Sequence, residues 1–386
     1  MVRKVPPVGG VAPAGRRVVG GTFTADRGAH DRQRILGRTA DGETRPGDSA
    51  LFAVLAGFTL VIITGRPSPR TGRDGRQAAG RVVTRGVVLI ALGFALTALD
   101  TSIDVILSFY GLIFLVVLPL YRLRATTLAV IAAGALVLPQ VLYGVQQSIY
   151  DGAWSDTVIA WDPPARIGDS DGFTELLFTG EYPVLTWAPF MIAAMAVARL
   201  DLTDAKVRAR LALTGGALAV VGYGGSWLAL RLVPQARTVI ADATDGGSAS
   251  SAWWSDTVGD ITDSTPPQWL LVAAPHSQTT FSLLGNAGVA LVVVAAGVTV
   301  ADRTPRVMRL LRPAAAVGMV ALSAYVLHVV AVRVLGTEGG SMSALPVLSG
   351  YIAGAMVFAM VWTRHFRRGP LEYLLHTATR PARHIR

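Results

Sequence analysis

Residues 177–202 read LFTGEYPVLTWAPFMIAAMAVARLDL. A turn carrying Glu181 and Tyr182 leads into an unbroken apolar stretch, which stops at Arg199 and Asp201. The apolar run is continuous rather than alternating, which excludes a strand of a closed membrane barrel. An apolar helix with a polar mouth and a charged end suits a segment crossing a bilayer. The mouth itself has two readings: an ordinary interface, or a place where something polar is handled.

The rest of the chain repeats the pattern. Of 386 residues, 52% are hydrophobic and only 16% charged, far less charge than a soluble chain of this size carries. Apolar segments fall near 49–64, 84–99, 104–121, 127–143, 183–199, 211–232, 280–301, 314–335 and 344–363. A spanning helix needs about 20 mostly apolar residues to cross ~30 Å of hydrocarbon. The expected fold is all-α: a polytopic transmembrane helix bundle over 49–364 with nine spans. The expected setting is the cell membrane, with membrane lipids as neighbours.

Charge sorts the connections. The segment 65–85 holds six Arg and one Asp, and 121–124, 199–210, 302–312 and the tail 365–386 are also basic. Between them, 99–104 is acidic, 146–182 holds seven acids and one Arg, and 233–279 holds five acids and one Arg. Basic loops face the cytoplasm in such proteins. The acidic loops 146–182 and 233–279 are therefore expected outside, and the tail 365–386 in the cytoplasm. The net charge of +10 then reflects orientation, and no nucleic-acid partner is implied. The absence of cysteine excludes disulfides, thiol catalysis and iron–sulfur clusters.

The segment 1–48 departs from this alternation. With nine spans and an inner C-terminus it belongs outside, yet it carries nine Lys/Arg against five Asp/Glu. Two expectations follow. Either an inward-starting helix that should precede residue 49 is absent, or 1–48 is a basic arm.

Six stretches, taken together, resemble one family. They are GDSALFAVLAGFTLVIITGR (47–66), SIDVILSFYGLIFLVVLPLYRL (102–123), LLFTGEYPVLTWAPFMIAAMAVARLDL (176–202), PHSQTTFSLLGNAGVALVV (275–293), PAAAVGMVALSAYVLHV (313–329) and FRRGPLEYLLHTATR (366–380). The chain looks like the YeiB-like bacterial family of uncharacterised polytopic membrane proteins. That family is related to the catalytic domain of heparan-α-glucosaminide N-acetyltransferase. The resemblance covers 47–380. It does not extend to the family's opening His-bearing helix, so no role passes to His30, and Met319 stands where the family usually shows Arg. The resemblance implies transmembrane acyl transfer from cytoplasmic acetyl-CoA to a glycan or lipid-linked acceptor on the outer face.

Several residues suit such chemistry. His276, just before the seventh segment, is a candidate base or acyl carrier, since imidazole titrates near neutrality. It reads equally as a loop His beside a helix start. His328 lies inside the eighth segment, where ionisable groups face a bundle interior or wet cavity. Tyr325 shares its helical face. Asn286 falls at a similar depth, and the three positions 276, 286 and 328 are candidates to meet at one level. Asp100 and Asp104 flank a short outer turn, as helix ends or as partners for a His or a sugar hydroxyl. Glu181 and Tyr182 are candidates for the rim of an outward-facing pocket. Trp154, Trp161, Trp253, Trp254 and Trp269 share that side, with Trp187 and Trp227 near it, as an interfacial belt or a sugar-stacking face. Arg66, Arg70 and Arg85 are candidates for the phosphates of the CoA donor. No metal is expected, because His365, His376 and His384 fit no common ligand spacing. Homo-oligomerisation is left open. The alternatives to an acyltransferase are a small-molecule transporter and an inactive membrane partner protein.

Overall fold

The computed structural model describes residues 48–101, 103–150, 155–167, 172–244, 249–255, 265–336 and 344–385. Residues 1–47, expected either as a basic arm or as the place of an absent helix, lie outside the described residues, as does Trp154. All regular structure among the described residues is helical. The elements that position the site are α1 (Asp48–Thr64), α2 (Gly72–Thr97), α3 (Ile106–Val117), α4 (Ala125–Gly134), α5 (Leu138–Tyr150), α6 (Ser155–Trp161) and α7 (Val184–Ala198). They are followed by α8 (Ala205–Ala219), α9 (Gly225–Leu232), α10 (Ala236–Asp242), α11 (Thr280–Arg303) and α12 (Pro305–Leu310). The chain closes with α13 (Arg312–Met319), α14 (Ala321–Leu335), α15 (Ala344–His365) and α16 (Pro370–Ala378).

Each expected apolar segment is carried by a helix, but the helices differ in reach. Among the described residues, five are long and apolar enough to cross a membrane: Gly72–Thr97, Ala125–Tyr150, Ala205–Leu232, Thr280–Arg303 and Leu345–His365. A sixth results if α13 and α14, bent by 89° at Val320, count as one span. Ala50–Thr64, Ile106–Arg122 and Val184–Ala198 are apolar but shorter.

The short helix α7 is the centre of the bundle. Thirteen of its 15 residues are buried, from Val184 to Ala198. It packs on α1, on α3 and on α4. Helices surrounded by helices need no polar face, which is why no polar stripe marks this one. In contrast, α15 leaves Leu345, Leu348, Ile352, Val357 and Val361 exposed, as suits a lipid-facing helix.

Lipid offers no hydrophobic drive between helices, so they associate through close backbone packing and small residues. The contact between α8 and α11 is an example. A Cβ added to Gly288 would lie 2.5 Å from the Gly215 carbonyl oxygen, and one added to Gly215 2.7 Å from the Gly288 oxygen.

The loops gather at two ends of the bundle by charge. At the basic end, the Arg66 guanidinium donates to the Leu200 carbonyl at 2.9 Å, and Arg199 donates to the carbonyls of Pro67 and Tyr121. Arg208 pairs with Asp302 there at 3.1 Å. At the acidic end, the Gln146 amide donates to the Phe178 carbonyl at 2.7 Å and the Tyr143 hydroxyl to the Thr265 carbonyl at 2.7 Å.

One expectation about the basic end is corrected. The segment 65–85 reads as a loop, yet α2 begins at Gly72. Arg is a good helix former, and its stem lies along apolar surface while its head stays wet. The helix therefore runs on past the end of the hydrophobic stretch, and Arg81 and Arg85 sit one turn apart on it.

Candidate functional site at the acidic end

The TGEYP turn and the PHSQ turn, far apart in sequence, meet in the fold. His276 Nδ1 lies 3.2 Å from Glu181 Oε2, and the two side chains are 15% and 17% exposed. The pair is shielded but still open to a small molecule. The carboxylate holds Nδ1, and Nε2 is the ring nitrogen outside this contact.

The backbone under this pair is unusual. His276 has φ +59° and Gln278 φ +56°. Non-glycine residues in the left-handed region each cost roughly 1–3 kcal/mol and cluster at functional sites. Here the strain has a visible result. It turns the Gln278 side chain inward, where its amide donates to the Glu181 carbonyl at 2.9 Å. Its Oε1 accepts from the Thr186 hydroxyl at 2.7 Å and the Trp187 indole at 3.1 Å. Gln278 and Thr186 are buried. Gln278 thus ties both turns to the first turn of α7. Thr279 then caps α11, its hydroxyl accepting from the Ser282 amide at 3.1 Å.

Aromatic rings wall the pair. Tyr182 meets His276 edge-on at 5.3 Å, Trp187 at 5.0 Å and Phe109 at 5.6 Å between ring centres. Just before the Glu181 turn, residues Glu175–Thr179 form a π-helical turn, a feature common at functional sites. This segment also lines an apolar cavity of about 560 Å³, with Val158, Trp161, Phe173, Leu177 and Phe178 among its walls. Trp161 there is 84% exposed. The buried Ser277 hydroxyl has no hydrogen-bond partner.

The other sequence candidates have different surroundings. Asn286 accepts from the Tyr223 hydroxyl at 2.8 Å and donates to Ser282 Oγ at 3.1 Å. His328 is half-buried and packs its ring edge-on to Tyr351 at 4.7 Å. His276 thus contacts Glu181 and Tyr182, Asn286 contacts Tyr223 and Ser282, and His328 contacts Tyr351. Tyr325 accepts from the Ile106 amide at 3.2 Å, a contact that caps the start of α3. Asp104 is an electrostatic neighbour of that phenol. Asp100, at φ +51°, follows the end of α2, its backbone N–H donating a hydrogen bond to the Thr97 carbonyl at 3.0 Å. Among the described residues, no three His, Asp or Glu side chains group to hold a metal ion.

Of the donor candidates, Arg66 is engaged with the Leu200 carbonyl. Arg70 and Arg85 share the wall of a cavity at the basic end.

A second carboxylate that sequence reasoning passed over has a clear place. Glu372, in the RGPLE stretch, accepts from the Leu322 amide at 2.8 Å, the Ser323 amide at 3.1 Å and the Ser323 hydroxyl at 2.5 Å. These amides open α14, directly after the 89° bend. A carboxylate satisfies freed amides at a helix start and complements its dipole.

Fold and contacts define an all-helical protein with several helices able to cross a membrane. Residues 265–382 match the model of a family described as a protein of unknown function (DUF418). That match takes in His276, Asn286, His328 and Glu372. No curated protein and no solved structure matches the chain.

Proposed function

We propose that the protein is an integral membrane acyltransferase. It moves an acetyl or short acyl group from cytoplasmic acyl-CoA to a sugar or lipid-linked acceptor at the acidic end, on the outer face. The observation that carries this reading is the Glu181–His276 pair, 3.2 Å apart and partly accessible among aromatic rings. A carboxylate that orients an imidazole and stabilises its protonated form makes the other ring nitrogen an effective base. His276 Nε2 takes the proton of an acceptor hydroxyl or amine. The acceptor's oxygen or nitrogen forms the new bond to the acyl carbon as the bond to CoA sulfur breaks. The thioester arm of the donor reaches through the bundle from the cytoplasmic side, and the proton passes from His276 to its leaving thiolate. Glu181 acts through His276 and is a positioning residue. The apolar cavity beside Trp161 suits the hydrocarbon of a lipid-linked acceptor, and the aromatic walls suit a sugar face.

The test is incorporation of label from acetyl-CoA into membrane glycans or lipids by vesicles holding the purified chain. His276→Ala should reduce labelling roughly 10²–10⁴-fold, the usual worth of a general base. Glu181→Gln should reduce it less, because the amide can still hold the ring in place but no longer supplies a negative charge beside it. Labelling by His276→Ala at the parent rate would overturn the reading, as would a parent that labels nothing. A parent that moves a small molecule across the vesicle without labelling would instead support the carrier alternative.

A further inference from the structure

At the opposite end of the bundle, a cavity of about 300 Å³ is lined by Arg70, Arg81, Arg85, Arg380, Arg383 and His376. Ile62, Ile63 and Thr379 complete its wall, and no carboxylate lines it. Three parts of the chain supply these charges: the loop before α2, α2 itself, and the C-terminal segment. Arg368 also lies close enough to Arg85 to repel it.

Like charges do not gather without cause, and here the fold forces them together. The C-terminal turn Arg380–His384 is held against α2 by contacts that involve none of the charges. The Gln77 amide donates to the carbonyls of Arg383 at 2.8 Å and Ile385 at 3.2 Å. Gly80 leaves room for the Ile385 side chain, which a Cβ at that position would strike. Arg81 and Arg85 are four residues apart on one helix face, an arrangement that destabilises when the charges are alike. The Arg81 Nε is buried with no hydrogen-bond partner. Guanidinium forks match phosphate oxygens two at a time. One wall, Ile62, is apolar and 62% exposed, as suits a cavity mouth beside lipid.

We propose that this cavity binds a phosphate-bearing ligand with at least two negative charges, either an anionic phospholipid headgroup or the phosphates of a soluble nucleotide-like molecule such as CoA. The inference goes beyond the acyl-transfer reading and does not depend on it. Repulsion between the C-terminal turn and α2 is the cost of keeping the site ready, and the ligand removes it.

The experiment measures the melting temperature of the full chain in uncharged detergent. One arm adds pyrophosphate or CoA, matched in ionic strength with chloride. Another adds anionic lipid against zwitterionic lipid. The parent should be stabilised by several degrees in at least one arm, and which arm responds identifies the source. The double variant Arg380→Gln/Arg383→Gln should melt higher than the parent without ligand and should need at least tenfold more ligand for the same shift. His276→Ala should keep the parent's response, which separates this site from the acidic-end chemistry. No shift with any phosphate, or an equal response in the double variant, would overturn the proposal.

Discussion

Replacing Glu372 by alanine should loosen the start of α14 without touching the Glu181–His276 pair. The carboxylate accepts three hydrogen bonds, two from the amides of Leu322 and Ser323 and one from the Ser323 hydroxyl. A hydrogen bond to a charged group is worth about 1.5–3 kcal/mol net, and loss of a helix cap costs about 0.5–2 kcal/mol. The three bonds share one carboxylate and do not add, so the expected cost is about 3 kcal/mol. The site favours the larger figures, since the freed amides follow a sharp bend and Ser323 is buried. Glu372→Gln keeps one acceptor oxygen and should lose about half as much. In detergent, the alanine variant should melt several degrees below the parent. Hydrogen exchange gives the local readout. The amides of Leu322 and Ser323 should exchange on the order of 10²-fold faster, as a 3 kcal/mol easier opening requires. If both amides exchange at the parent rate, the carboxylate is not what holds the bend, and the reasoning fails.

Gly288→Ala should cost about 1–3 kcal/mol by overpacking, because the new methyl meets the Gly215 carbonyl oxygen at 2.5 Å. Thermal unfolding checks this, and Gly288→Leu should be worse. Burial, followed by the neighbouring Arg368, Arg380, Arg383 and Arg85, pushes the His376 imidazole below its ordinary value of 6.5. The folded state then binds fewer protons there than the unfolded chain, so stability present above pH 6.5 is lost as pH falls through the lowered value. Melting temperature against pH should show this fall in the parent without ligand. His376→Gln should flatten it, although Arg70 and Arg81 still line the cavity.

The helices were legible because hydrophobic runs report burial in lipid or protein without reference to tertiary contacts. Their limits were not. Hydropathy places the start of the second segment near 84, while α2 starts at Gly72, because a backbone stays helical through Arg-bearing turns that no longer look apolar. For the site, sequence singled out Glu181 and His276 but not their pairing, which joins positions 95 residues apart. Gln278 was missed. Its one signal was its place two residues after a candidate base, and only the left-handed backbone at 276 and 278 shows why it turns inward. Glu372 was missed for a similar reason: the bend at Val320 that strands the Leu322 and Ser323 amides leaves no mark in the hydropathy of 314–335.

The length of α7 joins these points. Its 15 residues rise about 22 Å at 1.5 Å each, less than the ~30 Å of hydrocarbon. The 26 residues of α2 rise about 39 Å by the same geometry. α7 is thus shorter than α2 and shorter than the hydrocarbon thickness. Glu181 lies three residues before α7, and Arg199 caps its far end. The dyad sits on turns at the Glu181 end with its side chains only 15% and 17% exposed, and reduced contact with water strengthens the carboxylate's hold on the imidazole. Lengthening α7 by one turn of apolar residues would lift Glu181 by ~5 Å and break its contact with His276. Acyl transfer should then fail, while phosphate binding at the basic cavity, which uses no residue of α7, should persist.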